Sequence, residues 1–273
     1  MNVTVTLRKI YSLFLRDLAV ARSYRAVFVL QLFEILFGVA SFYYLSRFIE
    51  NSALRESLPQ GGTYFAFVLV GVAFFDYLGV ALNAFDESLM EARQNGTLEY
   101  LLVTQTSLPV ILVGSVIYPF ALLSLRTAVY LAWGIAVFGF PVSQANWLGA
   151  VIVLAASVLS FIGLGVLSAS YTLVFKRGNP VKWFFIGVSG LVSGVMYPVS
   201  VLPASLQWVG RLIPVTYSLQ AMRDAVLGHA SLAALWPSIR ALLLFAVILL
   251  PVSLVAFSWA LRRTKVTGTL VHF

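Results

Sequence analysis

Residues 91–102 read EARQNGTLEYLL. This short, polar, acid-bearing stretch, with Glu87 just before it, separates two apolar runs that are each long enough to cross a bilayer. The Asn95-Gly96 pair marks a helix break, because glycine takes the left-handed turn that other residues adopt poorly. Thr97 is placed to cap the following helix through its hydroxyl. A polar bend between membrane-length segments predicts a helical chain folded back and forth through lipid.

Composition agrees. The 273 residues are 60% hydrophobic and 10% charged, where soluble domains carry about 25% charged residues; the mean hydropathy is +0.94. A soluble fold of this size has no means of hiding that much apolar side chain, so lipid is the expected solvent. The formal charge of +8 comes from basic residues beside the apolar runs, a pattern of anchoring against anionic lipid. No basic, aromatic-interleaved motif points to nucleic acid. With no cysteine, disulfides, thiolate metal sites and thiol catalysis are excluded. The first residues alternate apolar and basic side chains, which does not read as a cleavable signal peptide.

Residues 4–25 read as an amphipathic helix. Leu7, Ile10, Tyr11, Phe14, Leu18 and Ala21 share one face, while Lys9, Ser12, Arg16 and Ser23 share the other. Such a helix is expected to lie in the headgroup layer. At about 20 residues per crossing, six spans are expected near 26–48, 64–84, 108–139, 147–175, 183–201 and 239–261, within a single all-α domain covering 1–273. Pro119 offers a kink in the third. The stretch 202–238, interrupted by Pro203, Pro214 and Gly228, is too polar for a clean span and too apolar for a free loop. Two short helices forming a re-entrant hairpin fit it best.

Lys and Arg placement sets the orientation. Arg8, Lys9, Arg16, Arg22 and Arg25 precede the first span; Lys176, Arg177 and Lys182 follow the fourth; Arg262, Arg263 and Lys265 follow the sixth. With six spans these clusters share one side, so both termini are expected in the cytoplasm. The elbow at 85–104 then faces the cytoplasm too. It carries Asp86, Glu87, Glu91 and Glu99 against Arg93 alone. That acidity fits either a basic docking groove on a cytosolic partner or a solvated loop.

No phosphate-binding loop, dinucleotide fingerprint or HExxH motif is present. Glu34, Asp76 and Arg126 fall inside expected spans, where an unpaired charge costs about 2.5–3.5 kcal/mol on insertion scales. An Arg126 pair with Glu34 or with Asp76 is geometrically possible. A polar strip along a substrate path and an ion pair that holds spans together are equally good readings. Gly190 and Gly194 form a GxxxG pattern in the expected fifth span.

Three motifs carry a family resemblance. Glu91-Ala-Arg-Gln-Asn-Gly96-Thr97-Leu98-Glu99, with Leu101 to Thr104, resembles the cytoplasmic coupling motif of ABC type-2 transporter permeases. Pro214-Val-Thr-Tyr217-Ser-Leu-Gln-Ala221-Met222-Arg223 resembles that family's motif before the last span, and Gly194-Val-Met-Tyr197-Pro198 with Leu202-Pro203 its fifth-span exit. The order of elements matches along the whole chain. Gln105, where many relatives have proline, departs from the pattern and should loosen the start of the third span.

The resemblance implies a permease without its own nucleotide site or metal, in a bacterial-type inner membrane. It implies pairing with a second copy and docking on separate ATP-binding-cassette subunits that hold ATP and Mg. Glu87, Glu91, Arg93, Gly96, Thr97 and Glu99 would form the coupling elbow, and Pro203, Pro214, Tyr217 and Arg223 the outer gate hairpin. The expected activity is export of a hydrophobic or amphipathic substrate (drug, lipid or lipo-oligosaccharide), with lipid-linked polysaccharide as the close alternative. An ion-coupled secondary transporter is a rival class, but its internal repeats are not visible here.

Overall fold

The structure, a computed structural model, describes residues 8, 11–19, 25–49, 63–94, 108–140, 145–175 and 179–266. All regular structure among them is helical: α1 Arg25–Ile49, α2 Tyr64–Gln94, α3 Leu108–Phe138, α4 Trp147–Phe175, α5 Pro180–Val192, a 3-10 turn at Val199–Val201, α6 Ala204–Arg211, α7 Pro214–Val226 and α8 Leu232–Val266. Residues 11–19 are also helical. Phe14 lies 6.2 Å, ring to ring, from Tyr118 of α3.

Four helices among the described residues are long and apolar enough to cross a membrane: α2 over Tyr64–Glu91, α3 over Val116–Phe138, α4 over Trp147–Phe175 and α8 over Leu232–Thr264. The 25 residues of α1 reach about 37 Å at 1.5 Å per residue, but Gln31, Glu34 and Arg47 dilute its apolar run.

The expected fifth span, 183–201, is corrected. Its helix begins at Pro180, where Asn179 accepts from the Lys182 N–H at 3.0 Å and proline occupies the first turn. It ends after 13 residues at Val192, giving about 20 Å against a hydrocarbon core of about 30 Å. Gly194 follows at φ +79° and then Pro198, so the chain leaves the helix there. Gly194 is therefore outside α5, and the GxxxG pattern is not a helix face.

Two other boundaries move. The helix of the second span continues to Gln94, so the first part of the expected elbow is its last turns. The last helix starts at Leu232, with Pro237 and Pro251 inside it, taking 232–238 from the expected hairpin.

The centre of the fold is α4, whose small residues allow neighbours close. A Cβ on Gly163 would lie 2.6 Å from Leu249 Cβ of α8, and one on Gly165 would collide with the Ala81 carbonyl of α2. Close backbone approach of this kind is how helices associate where lipid removes the hydrophobic drive. Ser157 of α4 and Ser218 of α7 add a buried hydroxyl pair at 2.7 Å. Tyr77, Leu82, Phe161, Leu164, Leu219 and Met222 fill the core. The outer faces of α1 and α8, including Phe33, Phe37, Val247 and Val255, are exposed and apolar.

The helices run so that the fold has two chemically distinct ends. At one, the start of α2, the end of α5, α6, α7 and the starts of α4 and α8 meet. Asn146 ties that end together, with its N–H donating to the Ala225 carbonyl at 2.8 Å and its side-chain amide to that of Ala230 at 2.9 Å. At the other, the end of α2 meets the end of α4, the start of α5 and the end of α8, where Thr264 Oγ1 reaches the Leu173 carbonyl at 3.5 Å.

Candidate functional site

Three of the residues expected to couple, Glu87, Glu91 and Arg93, lie at the end of α2. Glu87 and Glu91 are exposed on the last turns of α2, and Arg93 is on the same helix. Gly96, Thr97 and Glu99 lie outside the described residues. Glu87 and Glu91 are thus mounted directly on a helix that runs into the core.

Asp86, one residue before Glu87, turns inward and is buried. Its Oδ2 accepts from Asn179 Nδ2 at 2.8 Å and from Ser168 Oγ at 3.3 Å. The same Asn179 amide lies 2.7 Å from Ser168 Oγ and 2.9 Å from Thr172 Oγ1 of α4. One amide therefore links α2 and α4 while its carbonyl oxygen starts α5.

The intramembrane charges come together in part. Arg126 of α3 and Glu34 of α1 form an ion pair at 3.1 Å. Asp76 of α2 is within electrostatic reach of both. Glu34 remains 65% exposed against 29% for Arg126, so the pair stands on an outer face of the chain. It borders an apolar groove of about 160 Å³ lined by Gln31, Pro119, Leu122 and Val129 among others.

At the opposite end the hairpin is built from α6 and α7. Pro203 precedes α6 and Pro214 opens α7, each with its ring where no helical N–H is required. The Tyr217 hydroxyl donates to the Arg211 carbonyl at 3.0 Å and closes the turn between them. Tyr197 donates to the Leu191 carbonyl near the end of α5.

Arg223 is 6% exposed and its partners are backbone. Nε donates to the Phe67 carbonyl at 3.1 Å, Nη1 to Gly194 at 2.8 Å and Nη2 to Val195 at 2.9 Å. The guanidinium also sits 3.5 Å from the centre of the Phe67 ring, a close cation–π contact. Arginine is not deprotonated in proteins, so the buried guanidinium stays a cation. The planar fork suits three divergent acceptors in a way lysine does not. Gly71 makes the approach possible, since a Cβ there would strike the Val195 carbonyl and Arg223 Nη2. Beside this anchor opens a cavity of about 440 Å³ lined by Ser193, Gln207, Arg211, Tyr217, Gln220 and Asp224, among others.

A family model described as ABC-2 type transporter matches residues 5–227, from the N-terminal helix through α7. The chain belongs to the ABC-2 type transporter family. The chain is also 27% identical to Nodulation protein J of Rhizobium meliloti (strain 1021) over 184 residues, which cover 62% of this chain and 64% of that protein. The chain thus spans just under two-thirds of that relative. Both the elbow and the Arg223 anchor of this ABC-2 permease fall inside the family match. Sequence reading missed the Asp86–Asn179 contact. Asn-Pro before an apolar run was the available signal, because it marks a helix start, but nothing local says what the cap's amide binds.

Proposed function

We propose that this chain is the membrane-embedded subunit of an ATP-driven exporter, working with a separate ATP-binding-cassette ATPase that holds the ATP and Mg. The observation that carries the reading is the separation of the two ends. Glu87 and Glu91 share one end with Lys182 and with Arg262 and Arg263, while the hairpin and its polar cavity share the other. Lys and Arg mark the cytoplasmic side, so the elbow faces the ATPase and the hairpin the exterior. In this reading α1 and α5 complete a six-span topology, with α5 continued by re-entrant α6 and α7. Both termini are cytoplasmic in a bacterial-type inner membrane, and a second copy completes the transporter.

The substrate class this reading favours is hydrophobic or amphipathic. An apolar groove beside the Arg126–Glu34 ion pair and a polar cavity at the hairpin end suit a molecule with a greasy part and a polar head. Lipid-linked polysaccharide is the second reading.

Gly96→Val and Glu99→Lys are expected to uncouple the complex, abolishing substrate-stimulated ATPase and transport while membrane insertion is unchanged. Assays of a fluorescent amphiphile in vesicles carrying the whole complex measure this. Full activity in both variants would refute the elbow assignment. In the same vesicles, omission of ATP stops transport and a protonophore does not. An ion-coupled carrier gives the reverse, with Glu34→Gln or Asp76→Asn abolishing ion coupling.

A further inference from the structure

We propose that Asp86 and Asn179 form the joint through which movement of the elbow reaches α5, a role that rests on the exporter reading above. Asp86 lies within two turns of the exposed Glu91, on the same continuous helix. Its buried carboxylate holds the amide of Asn179, and Asn179 is the residue whose other side-chain atom caps α5. Displacing the end of α2 therefore pulls on the first turn of α5 and not on its middle.

The far end of α5 is pinned as well. Gly194 and Val195, just beyond its last turn, are held by Arg223. A 13-residue rod fixed at both ends passes a displacement along its axis, because the helical hydrogen bonds keep its length. The force then arrives at the wall of the cavity formed by the hairpin.

The joint has a choice of partners. Asp86 Oδ2 accepts from Asn179 Nδ2 and from Ser168 Oγ. Asn179 also has more acceptors within reach (Asp86 Oδ2, Ser168 Oγ, the Ser168 carbonyl and Thr172 Oγ1) than its amide has hydrogens. It can release Asp86 and stay bound to α4.

That redundancy supplies the test. Asp86→Ala removes the link to α2 and leaves the Asn179 contacts with α4 and the α5 cap in place. Asn179→Asp keeps the cap but sets two carboxylates against each other. Asp86→Asn with Asn179→Asp restores donor and acceptor with their roles exchanged. The chain has no native cysteine, so spin labels go on through Ser88→Cys on the last turns of α2 for the elbow and Trp183→Cys for exposed α5. Distances across the permease–ATPase complex are measured with and without ATP plus vanadate.

In the parent complex both labels should respond to nucleotide. In Asp86→Ala and in Asn179→Asp the elbow label should respond fully and the α5 label should lose at least half of its shift. The exchanged pair should recover it. A structural role alone would lower stability without separating the two labels. A full α5 response in Asp86→Ala, or no recovery in the exchanged pair, would overturn the joint. A parent elbow that ignores nucleotide would remove the exporter reading and the joint with it.

Discussion

Arg223→Met should be among the most damaging single substitutions in the chain. The Gly194 and Val195 carbonyls lie where the backbone has left α5 and before the 3-10 turn begins, so no helical N–H serves them. Removing the guanidinium leaves both buried without a donor, at about 1–3 kcal/mol each. Methionine fills much of the volume and still touches the Phe67 ring, so the loss isolates the polar contacts. Arg223→Lys should fall between, since one ammonium lacks the fork that spans the two carbonyls and Phe67 at once. The expected result is a thermal midpoint in detergent ordered Arg, Lys, Met, with new protease cleavage between residues 193 and 203 in the methionine variant. A methionine variant as stable as the parent would mean that the hairpin is held by packing alone.

The same site shows what can and cannot be read from residue order. Pro203 and Pro214 were legible as interruptions of an apolar stretch, because proline has a local meaning in a helix, whereas Tyr217 came only from the family resemblance. Arg223 was legible as part of a hairpin, but its role was not. Its acceptors are main-chain carbonyls, which carry no letter in a sequence, and no rule for pairing charges points to them. Asp86 was misplaced for a related reason. A carboxylate beside Glu87 and Glu91 reads as one more solvated acid. Only the persistence of α2 to Gln94 puts Asp86 on the inner face while its neighbours stay outside.

Hydropathy located α2, α3, α4 and α8 because each holds a long run of apolar residues. It failed at α5, where the apolar letters continue from 193 to 202 after the helix has stopped. Mean hydropathy responds to side chains and not to a positive φ at Gly194. The ion pair of Arg126 lay between these cases. Sequence position left Glu34 and Asp76 open as partners, and the packing of α1 against α3 selects Glu34 for the direct contact.

Gly165→Val should separate α2 from α4, with a second large effect. The added Cβ would strike the Ala81 carbonyl and come within 2.8 Å of the Phe85 ring. A ring can turn aside, but a carbonyl in the middle of a helix cannot without breaking its own hydrogen bond. The whole of α2 must therefore move. Overpacking of this kind costs about 1–3 kcal/mol where side chains can yield, and more is expected where backbone must. Gly79→Ala is the control: its Cβ would meet nothing within 4 Å, and alanine is favoured over glycine in a helix by about 1 kcal/mol. Thermal midpoints should fall sharply for the first and hold or rise for the second. The displacement has a functional consequence. Ser168 is one turn beyond Gly165 on α4, and Asp86 follows Ala81 toward the same end of α2. Spreading the two helices at the glycine pulls Asp86 away from Ser168 and Asn179, so transport should fail even where enough folded protein survives to be assayed. Gly165→Val protein with the midpoint and transport of Gly79→Ala would show that the crossing of α2 and α4 is looser than this packing implies.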